Sequence, residues 1–247
     1  WAASTPLHDA LAASDGVVNL AGEPIAEQRW TAQHLETLEN SRLGTTRSLV
    51  SALSTMAKPP SVLVNASAVG YFGTSAEGRF EEHSPAGTDF LARLCQQWEQ
   101  AAAEKPAATR LVVLRIGIVL SSEGGALAKM LPVFRAGFGG PIGSGQQWMS
   151  WIERGDLCRI IQSSLESDSW SGVINAVAPD PVTMAVFAGS LGRCLGRPSL
   201  LAVPGPMLQL LLGDGSKVVL EGQYVSSGRL EELGFKFRCP TLPVALD

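Results

Sequence analysis

The chain alternates short aliphatic segments with longer segments of helical periodicity, and this alternation restricts the fold more than any single motif does. The aliphatic segments are "DGVVNLAG" (15–22), "KPPSVLVNAS" (58–67), "RLVVLRIGIVL" (110–120) and "GVINAVA" (172–178). The third is almost continuously apolar, which is typical of parallel strands that are buried on both faces. Strands joined by helical stretches form βαβ crossovers, so the sequence predicts an α/β fold with a doubly wound parallel sheet.

Capping residues and apolar spacing place helices between these strands. Thr31 and Asp89 can each cap a helix at its amino end. Two further helical segments read "GDLCRIIQSSLES" (155–167) and "TMAVFAGSLGRCLG" (183–196). The chain has 247 residues, which is enough for one large domain or for one domain with a lobe.

Charge and hydropathy argue against two classes of partner. The net charge is −4 and the pI is about 5.5, and Lys and Arg do not cluster into the basic surface that nucleic acid requires. The longest apolar runs are too short to cross a bilayer. We therefore expect neither a nucleic-acid partner nor a membrane span.

Cysteine and histidine spacing argues against a metal site. The four cysteines are Cys95, Cys158, Cys194 and Cys239, and they contain no C-x-x-C pair. We expect free thiols, which are buried in the three cysteines that fall within predicted helices. Free thiols fit a reducing compartment, either a bacterial cytoplasm or an organelle interior. The three histidines are far apart and are expected at the surface: His8, His34 and His83.

Three turns follow predicted strands: "NLAGE" (19–23), "SAVGY" (67–71) and "RIGIVLSSEGG" (115–125). Because the carboxyl ends of parallel strands meet at one edge of a sheet, we expect these turns to converge on a ligand crevice. The glycine-rich segment "GFGGPIGSGQQ" (137–147) is a different case. It follows a helix and lacks the Lys of a phosphate-binding loop, so we interpret it as a surface or lid loop.

Ser67 and Tyr71 lie in the second of these turns and are candidate catalytic residues. A hydroxyl and a phenol at the end of a buried strand could transfer protons, or they could only line a pocket. Arg115 is a charge inside an aliphatic strand and needs a partner. That partner is either a phosphate of a substrate or cofactor, or a structural carboxylate such as Glu99.

Taken together, "VVNLAGEPIAEQRW", "SRLGTT", "NASAVGYFG", "LCQQWE", "LRIGIVL" and "GGPIGSGQQWMSWIERGDL" resemble the extended short-chain dehydrogenase/reductase superfamily. Within it, the chain resembles the subgroup called epimerase family proteins. The resemblance implies a Rossmann-like NAD(P)-binding domain at 1–120 and a substrate-side lobe at 121–247, with about 150–178 returning to the sheet. It also implies that a first βαβ unit with a Gly-rich turn precedes Trp1 in such proteins.

The resemblance assigns roles to several residues of this chain. It implies that Leu20, Ala21 and Gly22 lie along NADP(H), with NAD as an alternative, and that Arg42 contacts the cofactor. It also implies that Ser67 is the catalytic Ser, that it contacts the cofactor, and that Tyr71 is the aromatic residue four positions later. Arg115 is a further cofactor-binding candidate.

One departure from the superfamily affects the expected activity. Aligned on "WE" (98–99), the catalytic Tyr and Lys of Y-x-x-x-K fall on Leu91 and Cys95, so that pair is absent. If chemistry survives, Tyr71 is the best remaining acid. Two hypotheses follow: an NADP(H)-dependent oxidoreductase or epimerase on an unknown small molecule, or a catalytically degenerate fold that serves as an interaction module with a protein partner.

Overall fold

The computed structural model describes residues 5–247 and contains a four-stranded parallel sheet flanked by helices, which confirms the predicted fold class. The strands of the described chain are β1 Gly16–Asn19, β2 Val62–Ala68, β3 Arg79–Phe80, β4 Arg110–Ile116, β5 Ile118–Leu120, β6 Trp148–Met149, β7 Trp151–Glu153, β8 Gly172–Ala176, β9 Val182–Thr183 and β10 Tyr224–Val225.

The helices lie between and after these strands. They are α1 Thr5–Ala12, α2 Ala32–Glu39, α3 Thr45–Ser54, α4 Phe90–Ala103, α5 Gly125–Arg135, α6 Arg154–Glu166, α7 Met184–Cys194, α8 Gly205–Leu212, α9 Lys217–Leu220, α10 Gly228–Glu232 and α11 Leu242–Leu246. A π-helical segment joins α2 to α3, and 3-10 turns follow β2 and α8: Asn40–Gly44, Val69–Phe72 and Gly213–Ser216. No helix within residues 5–247 combines the length and apolar character that a membrane crossing requires.

The main sheet has the order β1-β2-β4-β8, and all of its neighbouring strands are parallel. Their carboxyl ends therefore lie at one edge. The register pairs Asn19 with Asn65 and Ser67 with Arg115. Polar residues that are distant in sequence thus become neighbours at that edge.

Helices cover both faces of this sheet because its strands are apolar on both sides. Val62 and Val64 of β2 pack in one core cluster with Ile160 of α6. Leu63, on the opposite face of the same strand, packs with Leu53 of α3. The predicted caps are present: Thr31 Oγ1 accepts a hydrogen bond from the His34 N–H (3.2 Å), and Asp89 Oδ1 accepts one from the Ala92 N–H (2.8 Å).

A separate apolar cluster forms mainly from residues after Leu120. Trp151 and Phe187 lie at its centre and are almost completely buried. The Trp151 indole N–H donates to the Asp180 carbonyl (2.7 Å), so its one polar atom is satisfied. Strand β8 lies in the segment expected to return to the main sheet, and it pairs there with β4. The proposed domain boundary at residues 120 and 121 stays a prediction.

The structure contradicts two predictions: that His34 lies at the surface, and that Cys158 and Cys194 are buried. His34 is only 7% exposed because it lies four residues before buried Leu38, on the same face of α2. Cys158 and Cys194 are exposed, since each points away from the buried stripe of its helix. Cys95 is the helical cysteine that is buried, and all four thiols are free.

Asp156 joins α6 to the C-terminal part of the chain. Its carboxylate is fully buried and accepts hydrogen bonds from Arg159 Nη1 (2.6 Å) and from the backbone N–H groups of Arg238 and Cys239 (2.9–3.0 Å). Glu153 and the Cys239 thiol lie close by, with ligand atoms within 4.8 Å of one another. Because N–H donors already occupy both oxygens of Asp156, we interpret the group as a structural clasp.

We predict that Asp156→Asn lowers the free energy of unfolding by about 2–4 kcal/mol, because an amide cannot accept all of these N–H groups. Urea denaturation measures the change. Asp168→Asn is the matched control: its side chain is fully exposed and lies 3.8 Å from Arg110 Nε, so stability should change little. Equal destabilisation by both substitutions would contradict the clasp.

Candidate functional site

A buried polar network ties together the elements at the carboxyl edge of β1 and β2. Asn19 Nδ2 donates to Asn65 Oδ1 (2.7 Å) and to Thr46 Oγ1 (2.9 Å), and the Trp98 indole N–H also donates to Thr46 Oγ1 (2.9 Å). The network joins β1, β2, α3 and α4. The sequence pattern did not single these residues out, although an Asn inside each of two aliphatic strands is a signal that could have done so.

The loop after β1 borders a cavity. The Ala21 N–H donates to Asn19 Oδ1 (3.3 Å), which anchors the loop to the buried network. The cavity has a volume of about 490 Å³ and is lined by small and hydroxylated residues: Ala21, Gly22, Asn40, Ser41, Gly44, Thr45 and Ser48. Two of the predicted cofactor residues, Ala21 and Gly22, therefore lie in its wall, and Leu20 is half exposed beside them.

Arg42 fastens this loop to the π-helical segment. Its Nη2 donates to the Glu23 carbonyl (2.9 Å) and its Nη1 to the Leu38 carbonyl (3.2 Å), while its guanidinium lies 5.4 Å from the Trp98 ring centroid. A Cβ on Gly22 would come within 3.0 Å of that guanidinium. Burial lowers the pKa of Arg42 from its ordinary value. Its hydrogen-bond partners include two backbone carbonyls, an arrangement that the sequence did not indicate.

Ser67 and Arg115 meet at one carboxylate. Glu99 Oε1 accepts hydrogen bonds from Ser67 Oγ (2.7 Å) and from Arg115 Nε (2.8 Å), and Glu99 Oε2 accepts one from Arg115 Nη2 (2.9 Å). Ser67 and Arg115 are each 3% exposed. Of the two partners considered for Arg115, the structural carboxylate is the one observed, and it satisfies the charge that β4 buries.

Arg115 also holds Tyr71. The guanidinium carbon lies 3.3 Å from the centroid of the Tyr71 ring and 5.0 Å from that of Phe72. Tyr71 is half-buried, and among residues 5–247 its hydroxyl has no hydrogen-bond partner. The structure thus places Ser67, Tyr71 and Arg115 together, and the Tyr71 hydroxyl takes no part in the hydrogen bonds around Glu99.

Leu91 and Cys95, on α4, face this group. A Cβ on Gly70 would lie 3.5 Å from the Leu91 Cβ, so Leu91 packs on the turn that contains Tyr71. Cys95 lies beside Ser67, with the Ser67 hydroxyl and the Ala68 N–H both near its sulfur. Burial raises the pKa of the Cys95 thiol to about 11, with a smaller contribution in the same direction from the Glu99 carboxylate. This thiol is therefore a weak acid near neutral pH.

Glu82 covers the remaining strand ends. Its backbone carbonyl accepts a hydrogen bond from Arg115 Nη1 (2.9 Å), and its Oε1 accepts one from the Asn175 N–H (2.8 Å). Asn175 is fully buried, and its Oδ1 has no hydrogen-bond partner within the described chain. Glu82 thus closes the edge at β4 and β8, whereas the cavity lies on the β1 side.

Comparison with known proteins identifies relatives over most of the chain. The model of the "NAD dependent epimerase/dehydratase family" matches residues 1–176, and a "domain of unknown function (DUF1731)" matches residues 203–247. The chain is 47% identical over 227 residues to the chloroplastic epimerase family protein SDR39U1 homolog of Arabidopsis thaliana, covering 91% of this chain and 65% of that protein. It is 40% identical over 247 residues to human epimerase family protein SDR39U1, covering 96% and 84%.

Solved structures give the same relationship. A crystal structure of human SDR39U1 (isoform 2) with NADPH superposes with a TM-score of 0.92 at 40% identity, covering 97% of this chain and 84% of that one. UDP-glucuronic acid 4-epimerase from Bacillus cereus, in complex with NAD, superposes with a TM-score of 0.76 at 16% identity over 98% and 75% of the two chains. At that identity the second likeness shows the fold alone.

We predict that Cys95 resists alkylation near neutral pH. Because its pKa is raised to about 11, little thiolate forms at about pH 8, and the rate should still be increasing at about pH 10. Iodoacetamide labelling followed by peptide mass spectrometry measures each cysteine separately. Exposed Cys158 and Cys194 serve as controls in the same digest. Labelling of Cys95 at the rate of Cys158 at about pH 8 would contradict the prediction.

Proposed function

The chain belongs to the NAD dependent epimerase/dehydratase family, and on that premise we propose that it binds NADP(H), or NAD in its place, beside the carboxyl edge of its sheet. We propose further that it acts as an oxidoreductase or epimerase on a small molecule. The NADPH in the crystal structure of the 40% identical human relative supports this cofactor. When bound, such a cofactor supplies or accepts a hydride.

The cavity beside β1 is the observation on which the cofactor proposal rests. Its volume of about 490 Å³ is within the ordinary range of small-molecule sites. Gly22 and Gly44 keep its walls open: a Cβ on Gly44 would meet no atom within 4 Å beyond its own stretch of helix. Ser41 and Thr45 lie in the same wall. These small and polar groups fit a nucleotide.

The other predicted cofactor residues have different roles in this proposal. Ala21 and Gly22 would contact the cofactor through their backbone, next to exposed Leu20. Arg42 would act through the loop, because it binds the Glu23 carbonyl at the rim of the cavity. We assign no cofactor contact to Arg115, since three of its nitrogens already bind Glu99 and Glu82.

Tyr71 is the residue that we propose as proton donor. Ser67 gives its single proton to the Glu99 carboxylate at 2.7 Å, so it can only accept a hydrogen bond from any third group. Cys95 is a weak acid with a pKa of about 11, and Leu91 has no acidic proton. The Tyr71 Oη, which no described residue engages, is therefore the atom from which a proton would pass to a substrate carbonyl.

The second candidate function is that of a catalytically degenerate interaction module. It is favoured by Leu91 and Cys95, which pack beside Ser67 and Tyr71 and occupy the positions of the superfamily's Tyr and Lys. A poorly acidic thiol cannot lower the pKa of a neighbouring phenol as a Lys does. The two functions differ in whether any variant of the protein turns over a substrate.

We predict that Gly44→Leu weakens NADPH binding by about tenfold or more without lowering stability. Gly44 lines the cavity and a Cβ there would meet no atom within 4 Å, so a leucine side chain can extend into the cavity. Leucine also favours helical backbone more than glycine does. Isothermal titration gives the dissociation constant, and thermal unfolding gives the stability.

The matched control for this substitution is Gly189→Leu, on α7. A Cβ at Gly189 has only ordinary contact, at 3.5 Å from Arg193 Nη1. NADPH affinity should not change in this variant. Unaltered NADPH binding by Gly44→Leu would move the cofactor away from this cavity.

We predict that Tyr71→Phe lowers turnover by about 10²-fold or more, the usual effect of losing a general acid, whereas Cys95→Ala keeps most of it. NADPH consumption against a panel of carbonyl compounds measures both variants. An active Tyr71→Phe beside an inactive Cys95→Ala would reverse the two roles. Absence of turnover in the unsubstituted protein, despite NADPH binding, would favour the interaction module.

A further inference from the structure

We propose that Glu99 is the positioning residue of the site: through Arg115 it fixes the Tyr71 ring, and through its own carboxylate it fixes the direction of the Ser67 hydroxyl. This inference rests on the proposed function, in which Tyr71 and Ser67 contact the ligand. It extends that function in two ways. It names the residue that orients the Ser67 and Tyr71 hydroxyls, and it states whether a ligand group must donate or accept a hydrogen bond at each of them.

Glu99 contacts both Ser67 and Arg115. Its Oε1 accepts from Ser67 Oγ at 2.7 Å and from Arg115 Nε at 2.8 Å, and its Oε2 accepts from Arg115 Nη2 at 2.9 Å. The paired side chains of Arg115 and Glu99 are only 3% and 12% exposed. A bidentate pair with so little solvent is geometrically well defined, and removing one partner leaves a buried charge.

Arg115 transmits the position of Glu99 to Tyr71. Its guanidinium is held by Glu99 on one side and by the Glu82 carbonyl (2.9 Å) on another. It therefore offers a fixed plane, 3.3 Å from the Tyr71 ring centroid, on which the ring rests. Phe72 contacts Tyr71 edge to face at a centroid distance of 5.4 Å. The orientation of the free phenol thus depends on a carboxylate that does not touch it.

The polarity of Ser67 depends on the same carboxylate. A serine hydroxyl has one proton and two acceptor lone pairs. The charge-assisted bond to Glu99 uses the proton, so only lone pairs remain for other groups. A ligand group that meets Ser67 must then be a hydrogen-bond donor, such as a substrate hydroxyl. A substrate carbonyl oxygen, which is an acceptor, would receive its hydrogen bond from the Tyr71 hydroxyl instead.

Because the chain contains two tyrosines, Tyr71 and Tyr224, it can be labelled with 3-fluorotyrosine to give two ¹⁹F resonances. Tyr224→Phe assigns them. In Glu99→Gln one amide N–H faces an N–H of Arg115, so the pair cannot form as before. We expect the Tyr71 resonance to shift or broaden and the Tyr224 resonance to stay in place. Cys95 should alkylate faster at a given pH, because the Glu99 carboxylate contributes to the raised pKa of the neighbouring thiol and is lost in this variant.

A second variant keeps the test decisive if Glu99→Gln folds poorly. Arg115→Lys retains the charge but loses the planar fork and its stacking on the ring, so the Tyr71 resonance should again move. In contrast, Ser67→Ala leaves the Arg115–Glu99 pair in place and should leave the Tyr71 resonance unchanged. An unchanged Tyr71 resonance in both Glu99→Gln and Arg115→Lys would overturn the proposal.

Asp156→Asn separates positioning from general destabilisation. It also removes a buried carboxylate paired with an arginine, Arg159, but on α6 and outside the site. It should lower the melting temperature while leaving the Tyr71 resonance and Cys95 alkylation unchanged. Changes in both readouts with this control would show that Glu99 acts only through stability, which would also overturn the proposal.

Failure of the proposed function would look different. If the unsubstituted protein does not bind NADPH by calorimetry, the cofactor assignment fails, yet the ¹⁹F resonances still decide whether Glu99 positions Tyr71. If NADPH binds and the Tyr71 resonance does not respond to either Glu99→Gln or Arg115→Lys, the proposed function stands and the positioning role fails.

Discussion

The charge of Arg115 inside the sheet is the constraint on which the arrangement of the site depends. A guanidinium at the end of an aliphatic strand would be strongly destabilising without a partner, and Glu99 on α4 supplies a bidentate one. That requirement fixes how α4 lies against β4. It also brings Ser67 under the same carboxylate, because the register of β2 on β4 pairs Ser67 with Arg115. One buried ion pair thereby determines the surroundings of both candidate hydroxyls.

The relationship to the family explains the fold, and the packing around α4 explains the departure from it. Where superfamily members carry a Tyr and a Lys, this chain has Leu91 packed on the turn after β2 and Cys95 beside Ser67. Apolar and weakly acidic groups fill that side of the site. In place of a Lys on α4, Arg115 on β4 brings a positive charge to the ring of Tyr71. The positive charge beside the candidate tyrosine therefore comes from strand β4 and not from helix α4.

The sequence predicted the parallel sheet because its strands are aliphatic on both faces, and it predicted two helix caps because Thr31 and Asp89 precede apolar stripes. The sequence also predicted that Ser67, Tyr71 and Arg115 lie at the same edge of the sheet. It could not choose between a phosphate and Glu99 as the partner of Arg115, since that choice depends on strand register and on the rotation of α4. An Asn inside each of two aliphatic strands marks Asn19 and Asn65 as candidates, but only the pairing of β1 with β2 makes their side chains neighbours.

The π-helical segment between α2 and α3 sets the rotational phase of the long helical stretch. Leu38 and Leu43 are both buried and lie in one core cluster, although they are five residues apart. The step of five falls at the π segment, where one extra residue is accommodated in the turn. Because each residue of an α-helix advances by about 100°, five α-helical residues would turn Leu43 about 140° away from Leu38, and the wider π turn instead keeps both side chains in the same core. The π segment also supplies Asn40, Ser41 and Gly44 to the cavity, so the turn that keeps α2 and α3 in phase also forms part of the cavity wall.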